Sequence, residues 1–124
     1  MTGKKSVVKS GSKLARKLCE QVVEALEDMK GNNIVTMDVV KLTDVTDYMV
    51  VVSGTSNRHV KALADSVVES AKSGGLLPLG VEGKDGLEWV LIDLGDVVVH
   101  VMHPDSREFY DLEGLWSDFG VVES

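Results

Sequence analysis

The chain has 124 residues, of which 44% are hydrophobic, enough for one domain with its own core and too few apolar runs for anything else. No apolar stretch nears the roughly 18 residues of a membrane span, and no apolar segment follows Lys4, Lys5 and Lys9, so neither a membrane anchor nor a secretory signal is expected and the location reads as cytoplasmic. The net charge of −7 is uneven: residues 1–17 carry six basic groups and no acid, whereas the 7 basic and 20 acidic residues from position 18 onward leave −13, a body repelled by nucleic acid and attracted to basic proteins.

Residues 1–12 read as a flexible basic tail. Leu14, Leu18, Val22, Leu26 and Met29 then recur at helical spacing, predicting a helix from about Lys13 to Lys30 with Ser12 as N-cap and Gly31 at C′. Cys19 lies within that helix. As a single cysteine it cannot form an internal disulfide, and it reads as a buried thiol. Ile34 to Val40 predicts a first strand, and Thr43 to Asp47 a turn. Tyr48 to Ser53 is apolar on both faces and predicts a central strand.

Gly54-Thr55-Ser56-Asn57 turns the chain into a second helix, with Val60, Leu63, Ala64, Val67, Val68 and Ala71 as its buried stripe and Gly74-Gly75 as its end. Pro78 confines any strand within Leu76 to Gly83 to a short or edge position. Pro104 suits the first turn of a C-terminal helix whose apolar side is Phe109, Leu112, Leu115 and Trp116, with a break expected at Gly114. Residues 119–124 read as a flexible C-terminal tail, leaving 13–118 as the domain. The order α-β-β-α-β-β-β-α predicts an α/β (α+β) fold, with one mixed sheet of about five strands covered by helices.

The remaining stretch, Trp89 to Met102, organises the chain. Two β-branched runs flank Leu94-Gly95-Asp96, a hairpin signal. A Leu94-Gly95 loop would set Asp93 opposite Asp96, an unfavourable like-charge pair. A Gly95-Asp96 loop avoids that and pairs Leu94 with Val97, Ile92 with Val99 and Val90 with Val101. That aliphatic face is core. The other face carries Trp89, Leu91, Asp93, Val98, His100 and Met102, a mixture that points to contact with something beyond the chain's own interior.

Catalytic signatures are weak. His59, His100 and His103 lack metal-ligand spacing, and no CxxC or HExxH occurs. The Gly54 turn could offer helix amides to a phosphate, but its Thr55 and Ser56 suit an ordinary N-cap. No nucleophile elbow is present, and the pairs Asp44/Asp47 and Asp93/Asp96 fit solvated turns.

The strings Asp47-Tyr48, Ser53 to Val60, Pro78 to Gly83, Trp89 to Met102 and Arg107 to Glu113 with Leu115-Trp116 closely resemble the ribosomal silencing factor (Iojap-related) family, across about Leu14 to Trp116. The resemblance implies a nucleotidyltransferase-like fold. It also implies binding to a basic protein of the large ribosomal subunit, the fourteenth, with joining of the small subunit blocked and translation lowered under nutrient limitation.

By that analogy Trp89 lies at the contact, and the hairpin register extends it to Leu91, Asp93 and Met102. Trp89 and Met102 are candidates for apolar anchors, Asp93 and Glu82 for meeting basic groups, and Tyr110 and Arg107 for the rim. Nucleotidyltransferases hold metals with a carboxylate pair soon after a Gly-Ser turn. Here no acid occurs until Asp65, so no catalytic residue, cofactor or metal is expected. The alternatives are a residual nucleotide-binding enzyme using Gly54-Thr55-Ser56 and a free homodimer pairing through the same face. Sequence-specific nucleic-acid binding is not expected.

Overall fold

The computed structural model describes residues 12–117 and 121–123. Helix α1 spans Lys13–Asp28, and Ser12 caps it by accepting a hydrogen bond from the Ala15 amide at 3.0 Å. Its buried side is Ala15, Cys19, Val22, Ala25 and Leu26. Leu14, expected on the inner stripe, is instead 78% exposed, and Met29 is also exposed. The helix lies close against its neighbours, so small Ala15 and Ala25 face inward. The C-terminus differs too. Lys30, with φ 60°, takes the left-handed position expected of Gly31. The Gly31 amide closes the helix on the Leu26 carbonyl at 2.8 Å, and a side chain there would meet Val52.

Strands β1 (Asn32–Asp38) and β2 (Tyr48–Ser53) pair antiparallel. Strand β1 starts earlier than the apolar run suggests, because Asn32 pairs with Ser53 before an irregularity leading to Val35. Helix α2 (Asn57–Ser73) follows, with Ser56 as N-cap and Val60, Leu63, Ala64, Val67 and Ala71 buried; Val68 is half-buried. Strand β3 (Gly80–Glu82) is the short edge strand that Pro78 foretold. Strands β4 (Trp89–Asp93) and β5 (Val97–Met102) form the hairpin in the expected register, Val90 opposite Val101 and Ile92 opposite Val99. The Leu94 amide reaches the Val97 carbonyl at 2.9 Å, and Gly95 supplies the positive φ the turn needs.

Two short helices, α3 (Pro104–Tyr110) and α4 (Leu112–Ser117), end the described domain. The break between them falls at Asp111, in the left-handed region, rather than at Gly114. Gly114 sits inside α4, where its amide donates to the Asp111 carboxylate at 3.1 Å. The mixed sheet has six strands in the order β3-β4-β5-β2-β1-β6, one more than expected. The addition is β6 (Val121–Glu123), which pairs with β1 within the stretch anticipated as a C-terminal tail. The anticipated N-terminal tail, apart from Ser12, and the side chain of Trp116 lie outside what is described.

Strands β2 and β5 run parallel at the centre, buried throughout. Helices α1 and α2 pack together on one face over Val50, Val52, Val90, Ile92, Val99 and Val101, which form the main core. Each such fully buried side chain contributes about 2 kcal/mol of transfer free energy. The opposite face holds a smaller cluster of Met37, Val39, Met49, Val51 and Met102, flanked by Leu112 and Trp89.

Candidate functional site

Register decides what stands on that second face. Trp89 is opposite Met102, Leu91 opposite His100 and Asp93 opposite Val98, while Glu82 of β3 is opposite Leu91. Glu82, Leu91, His100 and Val51 therefore form one row across four strands. Leu112 covers the inner side of this face near β1 and β2. Towards β4 and β3 the cover ends. Leu91 and Asp93 are half-buried there and Glu82 is exposed.

Trp89 sits at the boundary, half-buried. Its Nε1 donates to His100 Nδ1 at 2.9 Å. Its ring lies 4.7 Å from that of Tyr110, which meets Phe109 edge-on at 5.0 Å. Tyr110 is 53% exposed and Phe109 80%. The result is an aromatic row, His100, Trp89, Tyr110 and Phe109, that rises from the sheet interior to solvent. Such offset and edge-on pairs hold their rings in fixed mutual orientation and contribute about 1 kcal/mol each. Acidic side chains flank the row in sequence: Glu88 before Trp89, Glu108 and Asp111 beside the two helix aromatics, and Glu82 and Asp93 on the strands.

His100 is the polar root of the row, at 5% exposure. Because Nδ1 accepts from Trp89, the ring proton resides on Nε2, which has no hydrogen-bond partner among the described residues. Burial pushes its pKa down to about 4, so the ring is neutral at pH 7.

Two of the expected contact residues are placed otherwise. Met102 is fully buried, so it supports Trp89 from beneath and offers no surface for an apolar anchor. Arg107 is 8% exposed and is not a rim group. Its guanidinium binds both Glu113 oxygens, with Nη2 at 2.7 Å, and its Nη1 reaches Ser53 Oγ at 2.9 Å and the Asn32 carbonyl at 3.3 Å. Arg107 thus ties α3 and α4 to the end of β2 and the start of β1, and holds the helix that presents Tyr110. Phe109, expected on the apolar side of the last helix, projects outward.

The Gly54 turn is occupied by its own side chains. His59 Nδ1 accepts from the Thr55 amide at 3.0 Å, Ser56 Oγ from the His59 amide at 3.1 Å, and the Met102 carbonyl from the Gly54 amide at 3.0 Å. Asp65, the first acid after the turn, is bound to Lys61 at 2.9 Å and Lys84 at 3.2 Å. The three histidines serve different places: His100 under Trp89, His59 against the Met29 carbonyl, and His103 against Asn57 Oδ1.

The fold and this face define a small mixed α/β sheet domain with an open, aromatic-bearing surface and no helix, among the described residues, long and apolar enough to cross a membrane. The model of the family described as "Ribosomal silencing factor during starvation" matches residues 12–124, and the chain belongs to that family. A ribosomal silencing factor from Chromobacterium violaceum is 50% identical over 101 residues, covering 82% of this chain and 83% of that one. A crystal structure of a protein from the same organism superposes with a TM-score of 0.82 at 48% identity, covering 83% of this chain and 86% of that chain. A mouse protein named "Mitochondrial assembly of ribosomal large subunit protein 1" is 35% identical over 101 residues, 79% of this chain and 44% of its own length.

Proposed function

We propose that this chain is a non-enzymatic repressor of translation that binds a basic protein of the large ribosomal subunit, the fourteenth, and by occupying that surface blocks the small subunit. The observation that carries the reading is the aromatic row Trp89, Tyr110 and Phe109, standing at the open side of the sheet in an acidic body. Aromatic anchors with a charged rim are what concentrated binding energy requires, and negative charge around them speeds encounter with a basic partner. The mouse relative's name, which ties that protein to the large subunit, supports the same class of partner. Leu91 extends the apolar surface, and Glu82 and Asp93 supply carboxylates for lysines or arginines. Met102 and Arg107 act behind the surface.

The test is co-sedimentation with purified large subunits, with small subunits added as competitor. Trp89→Ala and Phe109→Ala are each expected to lower retention at least tenfold, the equivalent of about 1.4 kcal/mol. Phe109 is so exposed that its loss leaves the fold intact, which separates binding from stability. Full retention of both variants would overturn the reading. Self-association in the absence of subunits that persists after they are added would favour a homodimer through this face.

The occupied amides at the Gly54 turn and the lysine-bound Asp65 argue against a nucleotide-binding enzyme.

A further inference from the structure

The turn between β3 and β4 has fixed ends and a free tip. The Leu87 amide closes onto the Gly83 carbonyl at 3.0 Å, and Leu87, with φ 59°, packs against the main core. Lys84 Nζ is held by Asp65 at 3.2 Å, and the Glu88 carbonyl accepts from the His103 amide at 2.9 Å. Between these ties stand Asp85 and Gly86, both exposed. Neither the Asp85 carboxylate nor the Gly86 amide has a hydrogen-bond or ion-pair partner among the described residues. A Cβ placed on Gly86 would meet nothing within 4 Å, so the space around this residue is open.

We propose that Asp85 is a site of spontaneous isomerisation to isoaspartate, and through it a methyl acceptor for a protein carboxyl methyltransferase. The Gly86 nitrogen attacks Cγ of the protonated Asp85 carboxyl. A C–N bond forms, the amide proton and the carboxyl hydroxyl leave as water, and a succinimide ring results. Water then adds to one of the two ring carbonyls and breaks its C–N bond. Opening at Cγ restores aspartate. Opening at the main-chain carbonyl leaves the chain running through Cγ, with the α-carboxylate free. A methyltransferase can move a methyl group from a sulfonium donor to that carboxylate, and the ester recloses to the succinimide by releasing methanol.

The location follows from both sequence and fold. Asp85-Gly86 is the only Asp-Gly step in the sequence, and no Asn-Gly occurs. Glycine has no Cβ to crowd the approach, and it turns its amide through conformations closed to other residues. The two Asp-Ser steps, Asp65-Ser66 and Asp105-Ser106, lie inside α2 and α3, where helical backbone turns the following amide away from the side-chain carboxyl. At the loop tip nothing restrains either reacting group. The product adds one carbon to the main chain inside the turn that the Gly83–Leu87 bond closes. Strand β3 spans only three residues, so a lengthened turn loosens its hold on β4. This site does not depend on the partner proposed above.

The experiment holds the full chain, folded, in neutral buffer for several weeks. Samples are then treated with a protein-isoaspartate methyltransferase and labelled S-adenosylmethionine, and the label is located by peptide mapping. Residue 85 is expected to carry more label than all other aspartates together. A species lighter by one water is expected alongside it, and a protease that cuts before aspartate should progressively fail to cut before residue 85. The rate is expected to match that of an unfolded peptide of residues 82–88. Gly86→Val, whose branched side chain crowds the nitrogen, is expected to abolish the label at residue 85 and keep the parent's unfolding midpoint. Label at residue 85 no higher than at other aspartates, a rate well below that of the peptide, or full labelling of Gly86→Val overturns the proposal. If Gly86→Val fails to fold, Asp85→Glu replaces it, since its longer side chain would have to close a larger, slower-forming ring; label persisting at residue 85 there is equally fatal.

Discussion

Arg107 invites a quantitative test, because its surroundings define what removing either charge should do. Its guanidinium is nearly enclosed, with side-chain exposure of 10% against 27% for Glu113. Truncating one partner of a buried pair typically costs 3–5 kcal/mol, since the other charge stays desolvated and unpaired. Glu113 is open enough for water to take up part of that loss, and Ser53 Oγ and the Asn32 carbonyl still hold the cation. Glu113→Ala should therefore destabilise by about 2–3 kcal/mol, which for a domain of this size lowers Tm by about 10 °C. The double variant Arg107→Met/Glu113→Met removes both charges and keeps the volume. It should lose less than the sum of Arg107→Met and Glu113→Met measured singly, the signature of a coupled pair. Urea unfolding followed by tryptophan fluorescence measures all of these on one scale. A Glu113→Ala midpoint equal to that of the parent, or single losses that simply add, would refute the view that this ion pair fastens α3 and α4 to the sheet.

Other consequences can be checked with the same apparatus. The His100 pKa is about 4 in the folded chain against an ordinary 6.5. Because the unfolded chain takes up this proton first, stability should fall as pH drops from about 6.5 to about 4, by about 3 kcal/mol in all. His100→Gln should be flatter than the parent through that window, and a parent and variant with parallel pH profiles would contradict the burial of a neutral ring. Gly83→Ala should cost about 2 kcal/mol or more, since Gly83 has φ +88° and a Cβ there would run into the Trp89 carbonyl. The same substitution should shift the Trp89 emission, and an unchanged spectrum and midpoint would show that the β3–β4 loop does not position the indole. Asp65→Asn should cost less than about 1 kcal/mol, because its lysine partners are exposed and screened. Losing more than twice that in urea unfolding would mean that Asp65 has a structural role beyond the two ion pairs.

Where the sequence was legible, a local rule decided the outcome. The hairpin register followed from keeping Asp93 away from Asp96, and the α2 stripe from simple helical period. Where it was not, a distant partner decided. Arg107 sits among acids and aromatics in the chain, so nothing local reveals that Ser53 and Asn32, from β2 and β1, will enclose it. On α1 the hydrophobicity order favours Leu14, but close approach of the helix to its neighbours favours Ala15, and only the packing shows which wins. Val121 to Glu123 is too short to announce a strand by alternation, and it pairs along the edge of β1, far away in sequence.

A count of the helices in the structure accounts for the open face. Strands lie about 4.8 Å apart, and a helix with its side chains is about 10 Å across, so one helix covers about two strands. Two long helices, α1 and α2, are available for one side of the six-stranded sheet. For the other side the described residues offer only α3 and α4, and α4 packs at the β1 and β6 end. The strands at the opposite end, β4 and β3, then keep part of their second face open, with Leu91 and Asp93 half-buried and Glu82 exposed. Trp89, at that margin, is only half enclosed by the described residues. Its partial exposure is a consequence of architecture, which is why Trp89 and its helix-borne neighbours, rather than the buried Met102, form the open surface on which the proposed contact rests.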